Sequence, residues 1–165
     1  MMPRQGSLFQ SAGRPSSLRV GPAGWNYRDW EGVVYPAGAS LDALAYLADY
    51  CDTIEINSSF YAPPRANDAA SWARRVGHNP RFRFTAKAWQ KLSHERPAED
   101  ETALITDCDE VRKSMAPLAE AGVLGALLLQ FPWRFRCTPE NRDYLERLFR
   151  RLRERFRTLP PPQAG

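Results

Sequence analysis

At 165 residues the chain has room for one domain, with a core large enough to need no covalent staples. A composition of 43% hydrophobic and 25% charged residues is ordinary for a globular protein, and no apolar run approaches the roughly 18 residues of a membrane span. A formal charge of +4 is a mild excess that does not by itself identify a nucleic-acid partner.

The first 17 residues are dominated by Gly, Ser, Pro, Arg and Gln, a composition that cannot bury enough surface to fold. Within this head the pentapeptide QGSLF places Leu8 beside Phe9, three residues after Gln5. From there the chain alternates apolar runs with helical patterns. LRVGPAGW, residues 18–25, predicts a strand running into a Gly-rich turn. LDALAYLADY, 41–50, puts Leu41, Leu44, Ala45, Leu47 and Ala48 on one helical face, with Ser40 as N-cap. TIEINSSFY, 53–61, predicts a second strand, and NDAASWARRVG, 67–77, a short helix closed by Gly77. RFRFTAKAW, 81–89, alternates strictly and predicts the third strand.

A longer helix is predicted over 101–120, with Leu104, Cys108, Val111, Met115 and Leu118 in register and Pro117 expected to kink it or begin a separate last turn. LGALLLQFP, 124–132, is a continuous apolar run that suits a strand buried on both faces. Thr138 then caps a helix with Pro139 at its first position and an inward stripe of Tyr144, Leu145, Leu148, Leu152 and Phe156. This helix carries seven Arg against four acids over 139–157. The i,i+4 pairs Asp143–Arg147 and Glu146–Arg150 make a solvated face its default reading, with a phosphate-binding surface as the alternative. Residues 159–165 read as a frayed tail.

Four β-α alternations predict an α/β domain over 18–158 built on a parallel sheet with strand order 1-2-3-4 and right-handed crossovers. A doubly wound sheet and a barrel segment both accommodate it. Neither GxGxxG nor GxxxxGK[ST] is present, so the nucleotide fingerprints of the doubly wound folds are missing. Cys51, Cys108 and Cys137 are widely spaced with no CxxC pair, which speaks against a disulfide framework or zinc knuckle and for a reducing, cytoplasmic setting. With only His78 and His94 available, no metal site is expected, and the cofactor is left unassigned.

The stretches GPAGWNYRDWEGVVYP, TIEINSSFYAPP, FRFTAKAWQKLSHER and LLLQFPWRF together resemble the YecE-like family, also called domain of unknown function 72, over roughly 19–156. The resemblance implies a TIM-barrel-like fold and brings no established activity with it. Family members run beyond this length into a further strand and complete the barrel. The expectation is therefore a partial TIM-like (β/α) barrel of about four β-α units: a fragment, or a half-barrel that associates with something.

Strand alternation selects the candidate site. Ile54 and Ile56 oppose Glu55 and Asn57, and Phe82 and Phe84 oppose Arg83, Thr85 and Lys87. In a barrel the apolar face lies under the helices and the other faces the lumen. That places Glu55, Asn57, Lys87 and Gln130 late on neighbouring strands, where such barrels hold their sites.

Glu55 and Lys87 suit either a structural ion pair or a catalytic one. In the second role Lys87 stabilises an anionic intermediate and Glu55 serves as general base or metal ligand. Gln130 contacts ligand or satisfies backbone groups. Trp25 and Tyr27, with Trp30 and Tyr35, roof the barrel or stack a base or sugar ring. His94, in the loop after the third strand, is a proton-transfer candidate or a plain surface histidine.

Two function classes follow: an enzyme-like protein taking a small polar or phosphorylated ligand at this rim, or a nucleic-acid-associated repair accessory. The second draws on QGSLF, which resembles the peptide by which bacterial replication and repair proteins bind the sliding clamp. There Leu8 and Phe9 would fill an apolar pocket and Gln5 would hydrogen-bond at its edge. A chance pentapeptide and an inert fragment are the plainer alternatives. Bare edges on the outer strands predict self-association.

Overall fold

A computed structural model describes residues 18–38, 40–95 and 100–157. Gln5, Leu8 and Phe9 lie outside the described residues. Three parallel strands, β1 (Thr53–Ile56), β2 (Arg83–Lys87) and β3 (Leu124–Leu128), form a sheet in sequence order. Helices α1 (Ala43–Ala48), α2 (Ala66–Val76), α3 (Glu101–Glu120) and α4 (Pro139–Arg157) complete the alternation. The fold is a partial TIM-like (β/α) barrel.

The predicted first strand is not a full strand. Residues 20–23 run beside β1 through one parallel bridge, Ala23 to Glu55. Asp52 N–H donates to the Val20 carbonyl at 3.2 Å and Glu55 N–H to the Pro22 carbonyl at 3.0 Å. Pro22 has no N–H to return, and Gly24 turns away at φ 93°, so the ladder cannot extend. The order is as expected; among the described residues the sheet has three strands rather than four.

Alternation in β1 and β2 decides which face is covered. Ile54, Ile56, Phe82, Phe84 and Ala86 are buried. They pack against Leu44 and Leu47 of α1, Ala69, Ala73 and Val76 of α2, and Met115 and Leu118 of α3. A second cluster joins Leu104, Cys108 and Val111 of α3 to Tyr144, Leu148 and Leu152 of α4, with Ala88 and Leu92. Glu101, at the start of α3, meets Arg147 (3.3 Å) and Arg151 (2.8 Å) of α4. The Asp143–Arg147 pair forms at 3.0 Å, whereas the Glu146–Arg150 pair does not.

β3 departs from expectation. Its apolar run predicts burial on both faces, yet Gly125, Ala126 and Leu128 are exposed. A register shift between Phe84 and Thr85 sets Phe84 opposite Leu124 but Thr85 opposite Ala126. Gly125 occupies this irregularity, where a Cβ would lie 3.0 Å from Arg83 Cβ and 3.2 Å from the Phe84 carbonyl oxygen. The shift leaves Leu124 and Leu127 against the core, and Ala126 and Leu128 level with Thr85 and Lys87 on the opposite face. Nothing among the described residues covers that face of β3 or its outer edge.

Helix ends are set by side-chain capping. Asp42, not Ser40, caps α1, accepting from Leu44 and Ala45 N–H at 3.1 Å each. Asp100 does the same for α3, which runs through Pro117 without a break, and Thr138 caps α4 as predicted. Among the described residues no disulfide joins Cys51, Cys108 and Cys137.

Asp42 also receives Arg75 Nε at 2.6 Å, and this guanidinium, helped by the two cap donors, holds its carboxyl below the usual carboxylate range. A folded-state pKa below the unfolded value adds stability above the unfolded pKa of about 4 and loses it as pH falls through the folded one. Thermal melts should therefore show the advantage of wild type over Asp42→Asn shrinking below about pH 4. The variant keeps the cap oxygen but cannot ionise, so a difference that persists unchanged at pH 3 would contradict the assignment.

Candidate functional site

β1 and β2 end side by side, with Ile56 opposite Ala86. On the face away from the helices they bring Glu55 and Lys87 together, Nζ to Oε1 at 3.8 Å, each side chain about one-quarter exposed. This is a loose ion pair in partial contact with water. Its direct Coulomb gain is modest, and neither charge is fully committed to the other.

Asn57 follows at the end of β1. Its side-chain carbonyl oxygen is buried and has no hydrogen-bond partner. A buried acceptor without a donor is costly, and such groups recur where a ligand or water completes the set. The backbone turns at this residue (φ −80°, ψ −33°) into a 3-10 turn over Ser58–Phe60.

Ser59 holds that turn in place. Its hydroxyl is buried and sits 2.7 Å from the carbonyl oxygens of both Ile56 and Lys87, linking the ends of β1 and β2. Sequence reasoning missed Ser59, although the second Ser of NSSF immediately after a strand was the available signal. The predicted strand 53–61 stops at Ile56 because this turn draws the chain across the sheet end.

The remaining candidates are spread around this pair. His94 lies after a 3-10 turn over Gln90–Leu92, its Nδ1 2.9 Å from Ser93 Oγ and its ring edge-on to Phe60 at 5.0 Å. No hydrogen bond or ion pair joins it to Glu55 or Lys87 among the described residues. Gln130 is exposed, two residues beyond β3.

Trp25 lies on the helix side, edge-on to Trp72 at 5.3 Å and 6.2 Å from Phe84. Tyr27 is exposed; its hydroxyl donates to the Ala23 carbonyl and its ring lies 4.8 Å from Trp30. Trp30 in turn meets Tyr35 at 5.8 Å, and Tyr35 OH donates to the Trp25 carbonyl at 2.6 Å. These aromatics pack on one another; the structure pairs Glu55 with Lys87 and sets Asn57 immediately after β1.

No group of three or more His, Cys, Asp or Glu side chains among the described residues is placed to hold a metal ion. No helix among them is long and apolar enough to cross a membrane.

Comparison with known proteins agrees with this architecture. UPF0759 protein YunF of Bacillus subtilis is 28% identical over 132 residues, covering 78% of this chain and 44% of that protein. A crystal structure of a DUF72 family protein from Enterococcus faecalis superposes with a TM-score of 0.59 at 30% identity, covering 75% of this chain and 43% of that one. One from Thermotoga maritima gives 0.60 at 26% identity, covering 81% and 51%. The chain thus spans about half the length of the relatives it matches. The model of the family described as "Protein of unknown function DUF72" matches residues 19–159, nearly the whole domain, and the chain belongs to that family.

Proposed function

We propose that the chain carries part of an enzyme-like barrel site for a small polar or phosphorylated ligand, with Glu55, Asn57 and Lys87 at its centre. One observation carries this reading: the buried Asn57 carbonyl oxygen lacks a donor at the strand end beside the loose Glu55–Lys87 pair. A ligand hydroxyl or amine would satisfy Asn57. Lys87 would offer its ammonium to a phosphoryl or enolate oxygen, and Glu55 would accept a proton.

The reading draws support from the placement of Glu55, Asn57 and Lys87 at or just past the carboxyl ends of parallel strands, where barrels hold their sites. Because the chain spans about half its relatives' length, a complete barrel site would draw further groups from outside these three strands.

Ribose 5-phosphate, ribose and inorganic phosphate serve as probes in a thermal-shift titration of the whole chain. The phosphorylated sugar is expected to raise the midpoint and ribose alone to do so least, with the gain lost in Lys87→Met and reduced in Asn57→Leu. No shift from any probe at millimolar concentration, or an undiminished shift in Lys87→Met, would overturn the reading.

A further inference from the structure

Phe131–Arg136 reads FPWRFR and leaves the carboxyl end of β3. It is a shaped segment. Phe135 N–H donates to the Pro132 carbonyl at 2.8 Å, closing a turn with Trp133 and Arg134 at its two central positions. Phe131 and Phe135 stack across the base of that turn, ring centroids 4.3 Å apart and planes within 28°. The carbonyl of Arg136 is tied to the start of α4 by Asn141 Nδ2 at 2.7 Å and Thr138 N–H at 3.0 Å.

The result is an indole held out in solvent. Trp133 is 83% exposed, at the tip of the turn whose base the stacked Phe131 and Phe135 form. The guanidinium of Arg136 lies 5.4 Å from its ring centroid. Arg134, Arg136 and, in the first turn of α4, Arg142 are all exposed, and among the described residues none of them forms an ion pair. An exposed aromatic face with one arginine against its ring, and two more exposed arginines close by in the chain, has the two elements of a base-stacking, phosphate-binding surface.

We infer that Trp133, with Arg134, Arg136 and Arg142, binds single-stranded nucleic acid by stacking one base on the indole and neutralising the flanking phosphates. The open geometry selects a strand over a free nucleotide. One uncovered stacking face and a few arginines cannot offset the cost of immobilising a mononucleotide, whereas a strand adds phosphate contacts and counterion release along its length. The platform stands on residues other than Glu55, Asn57 and Lys87, so it does not depend on the reading of that site.

Fluorescence anisotropy with a labelled oligo-dT strand at low salt tests the inference on the whole chain, with the matching oligo-U strand and dTMP as competitors. Trp133→Ala is expected to weaken binding about 5- to 150-fold, the contribution of one stacked base, while Trp133→Phe retains most of the affinity. Removing Arg134 or Arg136 should lower the slope of log affinity against log salt by about 0.7 each. Unaltered circular dichroism and melting of Trp133→Ala would show that the loss is local.

No saturable binding of the strand, equal affinity in Trp133→Ala, or competition by dTMP as effective as the strand would each overturn it.

Discussion

Phe84→Ala is expected to cost about 3–5 kcal/mol of folding stability, against a total of about 5–15 kcal/mol for a domain of this kind. The side chain is fully buried at the centre of the sheet, edge-on to Phe82 at 4.9 Å and within 6.2 Å of Trp25. It packs where α1, α2 and α3 meet the strands, so the helices cannot collapse into the void without leaving their own contacts.

The neighbouring residue supplies the control. Thr85 points to the opposite, open face, and Thr85→Ala should cost less than about 1 kcal/mol. Urea unfolding of the two variants measures the contrast. Similar losses at both positions would mean that β2 is not covered on one side only.

The second large effect concerns assembly. We propose that the chain associates with a second copy of itself through the open side of the sheet. Among the described residues β3 pairs only with β2, and Gly125, Ala126 and Leu128 on and beside its open edge are exposed. At the other end, residues 20–23 run parallel to β1, and among the described residues no strand pairs with their other side.

A twofold axis along the strand direction would set β3 of each copy beside residues 20–23 of the other, with every segment still parallel. The two open edges would then be used in two equivalent contacts. It would also cover Leu128 and enclose the face carrying Glu55 and Lys87.

Sedimentation should show a concentration-dependent dimer for wild type and a monomer for the double variant Ala126→Lys, Leu128→Lys, with unchanged helical signal. A wild-type chain that stays monomeric at the highest attainable concentration would overturn the proposal.

Much of this architecture is legible in the sequence because short-range chemistry dictates it. The period-two alternation of RFRFTAKAW determines that Phe82 and Phe84 go under helices and Thr85 and Lys87 do not. The α3 stripe of Leu104, Cys108, Val111, Met115 and Leu118 is buried as its spacing requires. The same alternation on 53–57 brings Glu55 level with the strand that carries Lys87, so the ion pair follows once β1 and β2 are adjacent.

What depends on contacts between distant segments was not legible. No local signal distinguishes a strand covered on both faces from an equally apolar one at an open edge, and LGALLLQFP by itself reads as the former. Coverage depends on what lies across the sheet, and only the tertiary structure decides that. The shift at Gly125 belongs to the pairing of two strands rather than to either alone. The first strand shortened to a bridge because Pro22 and Gly24 limit a ladder whose partner lies about thirty residues on. Ser59 became visible as the link between two strand ends only when the Lys87 carbonyl, 28 residues away, was brought within reach of its hydroxyl. Trp133 could be counted in the sequence, but its exposure is a property of the fold: it sits at the tip of a closed turn beyond β3, not in the core that hydrophobicity alone would have it join.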